Sequence, residues 1–427
     1  MPRLSEDLAF RGLVHQCSDD AVLGALDREP LTGYIGFDPT ADSLHHGNLL
    51  QLCNLRRLQL AGHRPIALAG GATGFIGDPG GKSEERNLLS IEQVAANVAG
   101  IRPQLERFLD FSPSSGASQA ILANNADWLG TMPLISFLRD VGKYVTVNQM
   151  VAKDSVRSRL ERLEHGISYT EFSYMLLQAT DFLHLFDTYG CRLQLGGSDQ
   201  WGNIVTGVDL IRKVRGATAW ALTSPLVLRA DGTKFGKSEG GAIWLDPRRT
   251  SPFAFYQFLW RSEDAMVGTY LRYFTWLDHQ EILALDEATA AHPERREAHQ
   301  ALARELTTLV HGEEECRRVE RAAAALYTED VVSLDAATLT MALEGAPASV
   351  LAPSELDGGL EVVDALMRSG LVASKSQART AIEQGGAYVN NRRVAGIDAR
   401  IGASDLLDGG YVLLRRGRRE LHLLSFR

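Results

Sequence analysis

Between residues 34 and 81 the chain alternates short apolar runs with glycine-rich turns, and this alternation narrows the folds open to it. Tyr34-Ile-Gly-Phe reads as a buried strand closed by Asp38-Pro39-Thr40. A helix is expected from residue 47 to about residue 61, where Leu49, Leu52, Leu55 and Leu58 recur at a spacing of three, with Arg56 and Arg57 on the other side. Pro65-Ile-Ala-Leu-Ala reads as a second strand, ending in a turn over residues 70–81. Strand, helix and strand joined by glycine turns build a parallel sheet, so the expected class is α/β.

Elsewhere the pattern is plainer. Residues 4–16 have apolar positions at helical spacing. Residues 90–185 look mostly helical and include a charged stretch, 153–164. Leu193-Gln-Leu-Gly-Gly reads as a strand ending in a turn. Residues 251–327 read as helices rich in aromatics such as Phe253, Phe255, Tyr256, Phe258 and Trp260. Residues 344–359, rich in Gly, Pro, Ala and Ser, read as a linker. The last part of the chain reads as a compact α+β module with short strands at 386–390 and 411–415.

A length of 427 residues allows about two to four domains. No apolar run approaches the length of about 18 residues that a membrane span needs. The opening Met1-Pro-Arg-Leu-Ser-Glu-Asp lacks the apolar core of a signal peptide, so the expected compartment is the cytoplasm. Cys17, Cys53, Cys191 and Cys316 are scattered without the close pairing of a zinc site, so neither zinc nor a protein-built metal site is expected. The net charge of −9 argues against nonspecific nucleic-acid binding over the whole surface. Over residues 366–427, however, 11 Lys and Arg stand against 5 Asp and Glu, so that segment carries +6 and the remainder −15. A basic module on an acidic body, densest at Arg415-Arg416-Gly417-Arg418-Arg419, points to an appended binder of polyanions.

Three segments suit phosphate. His45-His46-Gly47-Asn48 falls where a turn becomes a helix, whose first N–H groups and partial positive charge attract an anion. Gly47 permits close backbone approach. Alone, the tetrad is weak, since two adjacent histidines near a turn are more often incidental. Lys234-Phe235-Gly236-Lys237-Ser238 sets two lysines three apart in a glycine-dense stretch, expected to be mobile and able to fold over an anion. Alone, it reads as a solvated basic turn. The turn ending in Lys82-Ser83 invites comparison with a P-loop, but that pattern needs Gly six positions before its Lys, and Ile76 stands there. Lys82 and Arg86 remain within reach of phosphate.

Together the histidine turn and the lysine stretch resemble the His-x-Gly-His and Lys-Met-Ser-Lys-Ser signatures of class I aminoacyl-tRNA synthetases. The context narrows the resemblance: Gly36-Phe-Asp-Pro-Thr-Ala-Asp-Ser-Leu-His45, Gly70-Gly-Ala-Thr-Gly, Tyr169-Thr-Glu-Phe-Ser-Tyr174 and Leu195-Gly-Gly-Ser-Asp-Gln-Trp-Gly202 look like the bacterial tyrosyl-tRNA synthetases. The C-terminal segment resembles their S4-type RNA-binding domain, with Ser374 to Arg379 similar to its helix start. The resemblance spans nearly the whole chain. It implies a Rossmann-like parallel-sheet catalytic domain with a helical insertion over 1–245 and an α-helical anticodon-binding domain over 246–343. A linker over 344–359 and an S4-like domain over 360–427 would follow, and the family implies a homodimer formed through the insertion. Two departures stand out. Asn48 replaces the second histidine yet still donates from a short side chain, and Ile35 replaces a small polar thiol, removing a contact to ribose.

Tyr174, Gln178 and Asp181, spaced four and three apart, fall on one helix face, an unusual polar set for a buried surface. The resemblance assigns Asp181 and Tyr34 to the hydroxyl of a tyrosine substrate, and Tyr174, Gln178 and Asp78 to its α-ammonium, with Gln200 nearby. It implies Thr40, His45, Asn48, Lys82, Arg86, Lys234 and Lys237 as catalytic groups on the phosphates. Asp38, Gly47, Gly197, Asp199 and Lys237 make up the implied ATP-binding set. ATP enters as a substrate with Mg2+, beside L-tyrosine and tRNA(Tyr). The substrate carboxylate attacks the α-phosphate in line, so catalysis comes from positioning and charge stabilisation and needs no protein nucleophile. Three rival readings stay open: a structural RNA-binding protein that kept the fold, a tryptophan enzyme, and a nucleotidyltransferase without tRNA. Asp181 with Tyr34 favours a phenol over an indole, and the basic module favours a tRNA partner.

Replacing Lys234 or Lys237 with Ala should cut kcat for adenylate formation more than it weakens tyrosine binding. Stopped-flow adenylation beside an equilibrium tyrosine titration checks this. A collapse of tyrosine affinity with the forward rate preserved would assign the lysines to substrate binding instead.

Overall fold

The computed structural model describes residues 2–78, 89–153, 156–157, 167–233, 235, 242–326, 328–343, 346–417 and 420–427. Lys82, Arg86, Lys234, Lys237, Arg418, Arg419 and most of the charged stretch 153–164 lie outside the described residues. The chain forms two units, Met1–Thr250 with Leu259–Val310, and Ser251–Phe258 with His311–Arg427. No helix among the described residues is long and apolar enough to cross a membrane.

The first unit is built on a six-stranded sheet. Its strands are β1 (Gln16–Cys17), β2 (Thr32–Phe37), β3 (Arg64–Ala69), β4 (Ile121–Asn124), β5 (Cys191–Gly197) and β6 (Trp220–Ser224), ordered β1-β6-β5-β2-β3-β4. All neighbours run parallel except β1, which is antiparallel to β6. Nearly every residue of β3, β5 and β6 is buried, as expected of parallel strands covered on both faces. The chain runs outward from β2 through β3 to β4 and returns to β2's other side at β5. That reversal is a topological switch point, and ligands of such sheets bind outside the strands' carboxyl ends there.

Three local expectations differ from the structure. The first helix spans only Leu4–Phe10, because Gly12 takes a φ of +68° and ends it. The stretch 90–185 contains β4, a four-residue apolar run too short for periodicity to separate strand from helix. Arg57 does not face solvent: on the helix His46–Leu60 it is 4% exposed and donates to the carbonyls of Arg272 at 3.2 Å and Thr275 at 3.0 Å. Arg11 donates to the same two carbonyls and to that of Leu277. Both guanidiniums therefore cap carbonyls at and just beyond the end of the helix Asp264–Phe274, which have no partner within it. Leu259–Val310 thus belongs with the sheet, so the helical stretch expected as one domain over 246–343 divides between the two units.

In the second unit, strands β7 (Ala348–Leu351), β9 (Ala387–Val389), β10 (Arg392–Arg393), β12 (Tyr411–Arg416) and β13 (Glu420–Phe426) form a sheet ordered β10-β9-β12-β13-β7. A two-stranded ribbon pairs β8 (Leu360–Glu361) with β11 (Arg400–Ile401). Two helices, Val362–Arg368 and Lys375–Glu383, close a core that includes Leu351, Leu366, Ile382, Val412, Leu414 and Leu424. Residues 344–359 were expected to be a linker, but β7 pairs parallel with β13 and buries Leu351. Turn-rich composition hid a four-residue edge strand. Of the basic cluster, Arg415 lies over the Tyr388 ring at 4.5 Å, and Arg416 donates to the Leu371 carbonyl at 2.9 Å.

The helices Tyr169–Tyr189 and Trp201–Arg215 meet at a glycine. A Cβ on Gly207 would stand 2.9 Å from Cδ1 and 3.1 Å from Cβ of Phe182, a fully buried ring. Gly207→Val should therefore overpack this contact, costing about 1–3 kcal/mol. A thermal melt checks it, and an unchanged Tm would show that the helix pair can separate freely.

Candidate functional site

The carboxyl ends of β2, β3 and β4 converge on one hydrogen-bonded network. Asp38, directly after β2, accepts from Thr73 Oγ1 at 2.8 Å and from the Tyr174 hydroxyl at 2.9 Å. Asn125, directly after β4, donates to Thr73 Oγ1 and to Asp181 Oδ2, each at 3.0 Å, and accepts the Ala72 N–H at 2.7 Å. Trp128 Nε1 donates to the other Asp181 oxygen at 2.8 Å and stacks on His184. The glycine turn after β3 makes room for this network. A Cβ on Gly70 would meet Asp38 Oδ1 and Thr73 Oγ1, and one on Gly71 would meet Asn124. Asn125, Trp128 and Thr73 are absent from the expected site. The available signal was the polar run Asn124-Asn125-Ala-Asp-Trp128 after an apolar triplet, a strand-end pattern like the one after β2.

Asp181 is 2% exposed, and burial pushes its carboxyl up to about 7 against the lowering effect of Asn125 and Trp128, while Asp38 adds to the rise. Tyr34 projects from β2 beside it, and burial with the neighbouring Asp181 charge raises its phenol well above the ordinary value. Among the described residues the buried Tyr34 hydroxyl has no hydrogen-bond partner. A buried donor without a partner is costly, about 1–3 kcal/mol, and is expected where a ligand supplies one. Each Asp181 oxygen keeps a lone pair beyond the one its N–H donor uses. Tyr174 and Asp181 are buried and Gln178 is half-buried, as the helical spacing predicts. Gln200 donates to Asp78 at 2.5 Å and accepts from Asn203. Asp38, expected with the nucleotide, joins Tyr174 in this network.

At the histidine turn, His45 is the N-cap of the helix His46–Leu60. Its Nδ1 accepts the Gly47 N–H at 3.0 Å, and its own N–H donates to Asn48 Oδ1 at 3.1 Å. The cap thus closes reciprocally. Burial lowers the His45 pKa, so the ring is neutral and an accepting Nδ1 leaves the proton on Nε2. Gly47 serves the same geometry, because a Cβ there would lie 2.7 Å from His45 Cε1. Asn48 therefore acts through the cap that orients His45. Thr40 is exposed just beyond β2, and Gly197 ends β5 with Asp199 exposed two residues later. The expected cationic groups Lys82, Arg86, Lys234 and Lys237 lie outside the described residues.

Comparison with known proteins agrees with this arrangement. The family described as "tRNA synthetases class I (W and Y)" matches residues 26–328, and "Tyrosine--tRNA ligase SYY-like C-terminal domain" matches residues 341–424. The tyrosine–tRNA ligase of Roseiflexus castenholzii is 55% identical over 99% of both chains, and that of Opitutus terrae 51% over 97% of both. Among solved structures, a C-terminally truncated mitochondrial tyrosyl-tRNA synthetase from Aspergillus nidulans superposes with a TM-score of 0.69 at 32% identity. It covers 77% of this chain and 95% of its own. Matched in order by both family signatures, and by curated relatives from end to end, the chain belongs to the tyrosine–tRNA ligases of the class I tRNA synthetases.

Proposed function

We propose that the chain activates L-tyrosine with ATP to give tyrosyl-adenylate and pyrophosphate, then transfers tyrosine to the 3′-terminal ribose of tRNA(Tyr). The observation that carries the choice of amino acid is the partnerless Tyr34 hydroxyl buried beside Asp181. A substrate phenol donates a hydrogen bond to Asp181 and accepts one from Tyr34, while phenylalanine leaves the Tyr34 hydroxyl unpaired and Asp181 without that donor. The α-ammonium has three donors to place, and Tyr174 Oη, Gln178 and Asp78 provide acceptors. The carboxylate so held attacks the α-phosphate of ATP, which enters as its magnesium complex. Charge builds on the phosphate oxygens as the new bond forms. The neutral His45 presents Nε2–H toward them, with Thr40, Lys82, Arg86, Lys234 and Lys237 completing the set. Gly197 and Asp199 hold the ribose. The tRNA ribose hydroxyl then attacks the adenylate carbonyl and releases AMP.

The basic module over residues 360–427 grips the tRNA backbone, with Arg415 and Arg416 on β12. Chain pairing through the mid-chain insertion is supported by Leu134, Ile135 and Val147, which are 68%, 72% and 62% exposed. The reaction runs in the cytoplasm, with the tRNA.

Tyrosine-dependent ATP–pyrophosphate exchange, run across all amino acids, tests the reading, and exchange driven by tryptophan alone would refute it. Asp181→Ala should raise the KM for tyrosine and erode discrimination against phenylalanine by the value of a buried hydrogen bond, about 1–3 kcal/mol. Unchanged selectivity in a folded variant would remove Asp181 from the hydroxyl site. Truncation after residue 343, ahead of β7, should leave exchange nearly intact and strongly reduce tRNA charging. Loss of both activities in a soluble product would mean that the module supports the adenylating unit.

A further inference from the structure

The second position of the histidine turn is His46, a side chain that the proposed chemistry leaves without a role. Its backbone N–H donates to the Ile243 carbonyl at 2.8 Å. Its imidazole Nδ1 lies 3.3 Å from both the carbonyl oxygen and the amide nitrogen of Ile243. The same imidazole hydrogen-bonds the backbone at Phe235, and the His46 and Phe235 rings meet edge to face at 6.1 Å. Phe235 directly follows Lys234, and Ile243 stands six positions beyond Lys237. One ring therefore touches the backbone on both sides of Lys237.

Both contact points are anchored. Phe235 is buried, donates its N–H to the Val227 carbonyl at 3.0 Å, and packs on the Tyr270 and Phe274 rings at 4.5 and 5.9 Å. After Ile243, Trp244 bridges to His45, and the Leu245 N–H donates to the Leu44 carbonyl at 2.9 Å. Residues 243–245 thus run against 44–46 as a short antiparallel seam. Burial drives the His46 pKa down to about 4, and His45 and Arg229 push the same way, against the pull of the two backbone contacts. A neutral ring has one donor and one acceptor nitrogen, as needed to serve two backbone points at once.

We propose that His46 is a positioning residue for adenylate formation, tying the backbone on both sides of the lysine motif to the helix turn that carries His45. The inference rests on the adenylation reading above. The two motifs are about 190 residues apart in sequence, yet both must act on one set of phosphates. A misplacement of about 1 Å can cost on the order of 100-fold in rate. With the seam made at His46, the residue next to His45, any displacement of one motif is carried to the other.

The test uses the full chain with saturating tyrosine and magnesium ATP. It measures single-turnover adenylation, the KM for ATP, tyrosine affinity without ATP, and Tm. His46→Leu keeps the bulk against Phe235 and removes the polar contacts. His46→Asn keeps a polar atom near the place of Nδ1. We expect His46→Leu to slow adenylation about tenfold or more, with tyrosine affinity and Tm unchanged, and His46→Asn to recover most of the rate. A wild-type rate in His46→Leu overturns the proposal. So does a parallel loss of tyrosine affinity and Tm in both variants, or an Asn variant that keeps its Tm and is as slow as Leu. A wild-type chain without tyrosine-dependent exchange would instead refute the reading on which the proposal rests.

Discussion

One buried carboxylate and one half-buried carboxylate, set where parallel strands end, fix the terms for the first unit. Asp38 and Asp181 lose hydration that only well-aimed donors replace. Asp38 draws on Thr73 and Tyr174, and Asp181 on Asn125 and Trp128. The Asn125–Thr73 bond joins the two pairs into one network. Much of the local backbone follows from that requirement. Gly70 and Gly71 lack side chains because Asp38, Thr73 and Asn124 occupy the space. The helix Tyr169–Tyr189 takes the register that sends Tyr174 toward one carboxylate and Asp181 into the other half of the network. Two donors do not fully replace water around Asp181, and its high pKa is the residue of that deficit.

Features encoded within a few neighbouring residues were legible in the sequence. Strands β2, β3 and β5, the helix after His45, and the common face of Tyr174, Gln178 and Asp181 follow from spacing and glycine placement. What could not be read depends on partners far along the chain. Asn125, Thr73 and Trp128 meet Asp181 or one another across 52 to 56 positions, and the strand that delivers Asn125 is only four residues long. Arg57 looked like the solvent side of an amphipathic helix because nothing local reveals the carbonyls of residues 272 and 275. His46 looked incidental for the same reason.

The arginine pair also explains why the helical stretch after residue 258 does not stand alone. A helix ends with carbonyls that need donors, and Arg11 and Arg57 supply them from elements at the start of the chain. Phe235 fills the apolar side of that same helix through Tyr270 and Phe274. Polar capping and aromatic packing thus fix one helix to the sheet unit from two directions.

The parallel pairing of β7 with β13 has a consequence for the order of events during synthesis. Ala348 faces Leu423, 75 positions later, so nothing local can complete that edge of the sheet. At about 5–20 residues per second, β7 waits roughly 4–15 s on the ribosome before its partner exists. The first unit's sheet, complete by Ser224, can form well before then. A nascent chain therefore gains the adenylating framework first and the basic module last. A message cut short within that interval would yield chains with a formed sheet unit and an unpaired apolar strand, the kind of edge that cellular quality control recognises.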